Sequence, residues 1–126
     1  MYRCALAGLL AATLATSAAA QVQRNFPATA LRGNLLIGEP PEVTLNGKPA
    51  RLAPGARIRG QDNMVQMSGT LSGAKLLVHY TVDTYGLVKD VWILRPEEAA
   101  VRPWPATPEQ AQAWTFDPTA QTWTKP

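Results

Sequence analysis

Residues 75–95 read KLLVHYTVDTYGLVKDVWILR, two apolar, β-branched runs around the four-residue turn Asp83-Thr84-Tyr85-Gly86. Leu76, Val78, Tyr80 and Val82 fall at every second position, so the pattern predicts that they share one buried strand face. Val88 to Leu94, rich in Val, Ile and Trp, suits a pleated, half-buried surface. The turn opens on Asp and closes on Gly, the sequence of a tight turn whose last residue takes positive φ. This hairpin sets a β-rich fold and leaves His79 on the opposite face, with Leu77 and Thr81.

Upstream, further turns arrive at short intervals. Ala28 to Ile37 predicts a first strand with Leu31, Leu35 and Ile37 inside and a bulge or bend at Gly33. Asn46-Gly47 between Val43–Leu45 and Lys48–Leu52 predicts a two-residue hairpin, with Pro49 either placing the return strand at an edge or making it start late. Pro54-Gly55 predicts another turn, then a strand Ala56–Arg59 with Ile58 inside and both arginines outside, and a short crossing at Met64–Met67. Such spacing implies an all-β domain over residues 28–100, a small five- to six-stranded OB-like or SH3-like barrel with Leu45, Ile58, Val78, Tyr80, Val91 and Ile93 in its core. The runs VTLNGKPARLAPGARIRG (43–60), KLLVHYTVD (75–83) and GLVKDVWIL (86–94) resemble small OB-like domains of unknown function in exported bacterial proteins. That resemblance spans about residues 30–95 and implies a fold rather than an activity.

Downstream, the composition changes over residues 101–126. Five prolines and three of the four tryptophans lie there. Thr107-Pro108-Glu109-Gln110 reads as a helix start, with Thr as N-cap and Pro at the first helical position. The helix ends near Ala113 and is too short to hold alone. AWTFDPTAQTWTKP (113–126) resembles the C-terminal hairpin of the immunoglobulin-binding domains of protein G, in its aromatic-Thr-aromatic-Asp opening and Thr-aromatic-Thr return. In that register Phe116 opposes Trp123, and Trp114 opposes Lys125. A lone hairpin is marginal in water, so the segment is expected to fold back on the barrel, with Trp92 and Leu94 as its docking surface.

The start of the chain has its own logic. Met1-Tyr2-Arg3, an apolar run from Cys4 to Thr16 and Ser17-Ala18-Ala19-Ala20 have the make-up of a signal peptide over residues 1–20, with Gln21 as the mature start and residues 21–27 as an extended lead-in. Export to a periplasmic or secreted location follows from that reading. Cys4 is the one cysteine, so the exported chain of about 106 residues would lack disulfides and rely on its core. Without Arg3 it carries eleven basic and nine acidic residues, a net of +2, too little to argue for a nucleic-acid partner.

Few constellations for chemistry are legible. His79 is the one histidine and is expected to be a partly exposed strand residue making one hydrogen bond. Ser68 and Ser72 are the serines after residue 20, in a loop without a nucleophile elbow. The carboxylate pairs Glu39/Glu42 and Glu97/Glu98 sit beside prolines. No catalytic residue, metal site or cofactor is assigned. The residues left for recognition are the basic cluster Arg51, Arg57 and Arg59 and the aromatics Trp104, Trp114, Phe116 and Trp123, because aromatics and arginine dominate binding hot spots. One expectation is a non-catalytic module of the cell envelope that holds an envelope protein or a cell-wall component and does not span the membrane. It requires arginines and aromatics to share one surface. The alternative is a small periplasmic enzyme or ligand carrier using the barrel mouth around His79 and Asp90, which requires a concave pocket there.

Overall fold

A computed structural model describes residues 23–126; the leader expected over residues 1–20 lies outside them. Strands β1 (Leu31–Ile37), β2 (Glu42–Leu45), β3 (Lys48–Arg59), β4 (Val65–Gln66), β5 (Lys75–Val82) and β6 (Val88–Ile93) form one sheet. Around it β2 meets β1, β1 meets β5, β5 meets β6, β6 meets β3, and β3 returns to β2, so five strands close into a barrel with β4 appended to β3. The β3–β6 contact is parallel and the others are antiparallel. A three-strand meander closed by a hairpin whose second strand runs parallel to β3 is the connectivity of an OB-type barrel. Helices α1 (Pro96–Ala99) and α2 (Pro108–Ala113) then lead to a separate hairpin of β7 (Thr115–Asp117) and β8 (Thr122–Thr124).

The turn residues act as their chemistry demands. Asn46 and Gly47 take φ of 53° and 81°, and the Asn46 Oδ1 accepts from the Asn34 N–H at 2.9 Å, tying the hairpin to β1. Asp83 Oδ1 accepts from the Tyr85 and Leu87 N–H groups at 2.8 and 2.9 Å, and Gly86 takes φ of 79°. Val78, Tyr80, Val91, Ile58 and Leu31, Leu35 and Ile37 of β1 are buried in the barrel; Leu45 and Ile93 are half-buried against them.

Three local expectations fail for physical reasons. Gly33 sits in unbroken register opposite Val78; its role is clearance, since a Cβ there would lie 3.0 Å from the Asn46 amide and 3.1 Å from the Tyr80 ring. Pro54-Gly55 does not separate two strands. Gly55, with φ of 77°, makes an irregularity between Leu52 and Arg57 within the single strand β3. Val82 leaves the inward set, at 45% exposure, because the β5–β6 register shifts between Thr81 and Val82.

The barrel's outer wall carries a second core. Phe26, Ala30, Leu94, Trp104 and Trp123 are buried together, with Trp92, Trp114 and Phe116 packed against them. The tail thus covers the outer face of β5 and β6, where Leu94 and Trp92 were expected to receive it. Thr107 Oγ1 accepts from the Gln110 N–H at 3.2 Å as the α2 cap, and Phe116 faces Trp123 with ring centroids 4.8 Å apart. Neither element would be stable alone; burial of the two indoles on the wall completes both.

Candidate functional site

His79 lies at the centre of the covered wall. It is 1% exposed, so the partly exposed histidine expected from the sequence is corrected. Trp104 stacks on its ring at 4.0 Å between centroids, and Phe26 meets it edge-on at 4.4 Å. Arg32, projecting from β1, donates from Nε to His79 Nε2 at 3.2 Å. A ring that accepts at Nε2 carries its proton on Nδ1, and that Nδ1 has no partner among the protein atoms. Burial, then the charges of Arg32 and Arg24, pushes the imidazole pKa down to about 3. His79 is therefore neutral at physiological pH with its lone pair already engaged. His79 does not meet Asp90: it stands opposite Trp92, whereas Asp90 stands opposite Thr81 and contacts the Arg59 guanidinium at 3.7 Å.

Two arginines near the start of the described chain hold this wall together. Arg24 donates to both carboxylate oxygens of Glu98, to the Gly60 carbonyl at 2.9 Å and to the Ile93 carbonyl at 2.8 Å. Burial pushes the Glu98 carboxyl up, but the Arg24 hydrogen bond, the Arg95 N–H and both guanidinium charges outweigh it and hold the group below its ordinary value. Arg32 donates to the carbonyls of Val101 at 2.7 Å, Ala99 at 3.3 Å and Glu98 at 3.0 Å, anchoring α1 and the chain beyond it. Its guanidinium also lies 5.5 Å from the Trp104 ring centroid.

The residues expected to bind do not converge on one surface. Arg51 is exposed and pairs with Glu42 at 3.1 Å; Arg57 is exposed on β3; Arg59 lies over the Trp92 ring at 5.7 Å. Trp104 and Trp123 are 7% and 5% exposed, and Phe116 is half-buried beside Trp123. These aromatics meet a different set of cations. Arg32, Arg102 and Lys125 join Gln110, Trp114 and Trp123 along a groove of about 870 Å³ between α2 and the hairpin. Arg102 and Lys125 are exposed, Trp114 is half-buried, and the Lys125 ammonium lies over the Trp114 ring, 5.3 Å from its centroid. The Trp114–Lys125 opposition was readable from the hairpin register. Arg102, Arg32 and the Arg24–Glu98 pair were not, because partners far along the chain define their roles.

Among the described residues no three His, Asp or Glu side chains come together as a metal site, and no helix is long and apolar enough to cross a membrane. Comparison with protein-family models, with curated proteins and with solved structures finds no match to this chain.

Proposed function

We propose that this chain is an exported, non-catalytic binding module of the bacterial cell envelope, holding a cell-wall component in the groove walled by its C-terminal tail. The observation that carries the reading is the Lys125 ammonium over the half-buried Trp114 ring, in a groove that the exposed Arg102 also lines. Cations and an aromatic ring together, on a base stiffened by the buried indoles, are the composition of a recognition surface. OB-type barrels serve as platforms for oligosaccharides and oligonucleotides. The charged start and small-residue end of residues 1–20 support the envelope as its location. Co-sedimentation of the protein with purified cell-wall sacculi tests this function. Retention that drops about tenfold in the double variant Arg102→Gln, Lys125→Gln is expected, equivalent to about 1.4 kcal/mol. Absence of retention, or equal retention of the variant, would refute it.

A further inference from the structure

Resting on that binding reading, we infer that the ligand of the groove between α2 and the β7–β8 hairpin is an acidic glycan, sugar rings bearing carboxylates. The charged side chains that line the groove are Arg32, Arg102 and Lys125, and none of the side chains lining it is acidic. Glu98, whose charge favours the Arg32 guanidinium, is already engaged by Arg24 and the Arg95 N–H. Arg102 lies near enough to Arg32 for the two charges to repel, and Arg102 and Lys125 are the exposed cations of the groove.

The other polar groups have the same sense. Gln110 Oε1 accepts from the Ala106 N–H at 2.8 Å, which leaves the amide N–H groups to face a ligand. Trp123 Nε1, in a residue 5% exposed, has no acceptor among the protein atoms. Apart from the Thr124 hydroxyl, which both donates and accepts, the polar side chains of this groove are donors and cations, and they favour a ligand rich in acceptors and negatively charged.

The indole narrows the class. Trp114, half-buried against the second core, carries the Lys125 ammonium over its ring, so apolar indole surface and a cation adjoin in the groove. A pyranose uronate presents the complement, an apolar C–H face with a carboxylate at its edge. The groove volume of about 870 Å³ falls within the usual range of ligand clefts, about 300–1,000 Å³. Single-stranded nucleic acid also uses basic grooves with aromatics, but it needs successive stacking platforms. Here Trp104 and Trp123 are buried and Trp114 is half-buried, so no series of open rings lines the groove. An acidic peptide would draw its main-chain bonds from a strand edge such as that of β8, and polyglutamate in the titration separates it from a glycan.

Titration calorimetry of the protein with an oligogalacturonate and with its methyl ester tests the inference. The acid form is expected to bind at least about tenfold tighter than the ester, with affinity falling as salt rises. The Arg102→Gln, Lys125→Gln variant should lose about tenfold for the acid form alone, and Trp114→Ala should weaken both forms; unchanged circular dichroism of each variant establishes that it folds. Equal binding of acid and ester, an unaffected double variant, or tighter binding of polyglutamate or oligothymidylate would overturn the acidic-glycan assignment. Sacculus retention that still depends on Arg102 and Lys125, without uronate binding, would reject this ligand class and leave the binding function standing.

Discussion

His79 exchanges a solvated imidazole for a slot between Trp104, Phe26 and Arg32, and that exchange has a pH signature. Its pKa in the fold is about 3 against an ordinary 6.5. Below about pH 6.5 the unfolded chain therefore takes up a proton that the folded chain refuses. Stability falls with acid through that window and levels near about pH 3, with a slope of at most about 1.4 kcal/mol per pH unit. Glu98 acts lower on the scale: its pKa lies below 4.5 in the fold, so its contribution disappears only as the pH falls past that value. Urea unfolding at about pH 7, 6 and 5 should show a decline that His79→Gln flattens, while wild-type curves that superimpose would contradict a buried neutral imidazole. The sequence put His79 on the outer strand face but could not show that face covered, because the cover comes from Trp104 and Phe26.

At the scale of elements, the two predicted hairpins and the α2 cap form where Asn46-Gly47, Asp83–Gly86 and Thr107-Pro108 place them, since each is encoded by residues in contact along the chain. The errors occur where a contact from elsewhere decides. Gly33 answers to Tyr80 and Asn46, and β3 runs through Pro54-Gly55 because β6 pairs with both of its halves. The candidate groove follows the same division: Trp114 opposite Lys125 is legible from the hairpin register, whereas Arg32 and Arg102 join it from β1 and from the chain after α1, through contacts that sequence proximity does not show. The tail as an element is stabilised by the wall it covers. Deleting residues 103–126 would bare Phe26, Leu94 and Trp92, so the melting temperature should fall and Trp92 emission should shift red; an unaltered melting temperature would mean that the second core adds nothing to stability.

The whole molecule is fastened by contacts that join its first described residues to its last elements. Arg24 links the lead-in to Glu98 of α1, to Gly60 beyond β3 and to Ile93 of β6. Its side chain is 4% exposed and that of Glu98 is 11% exposed, so removing one partner strands a charge in poor solvent. Arg24→Leu is expected to cost about 3–5 kcal/mol, read as a shift of the denaturation midpoint; a change under about 1 kcal/mol would place the pair in the class of surface bridges instead. Further along, the Phe26 N–H donates to Gln121 Oε1 at 2.8 Å across 95 residues of sequence. That closure bears on the order of synthesis. Phe26 is made long before Gln121: Arg24 finds Gly60, Ile93 and Glu98 first, and the Phe26 N–H gains its partner only when the last hairpin has been made. A nascent chain that pauses after β6 can close its barrel yet still shows Phe26, Trp92 and Leu94 to whatever holds it, until the last hairpin arrives to cover them.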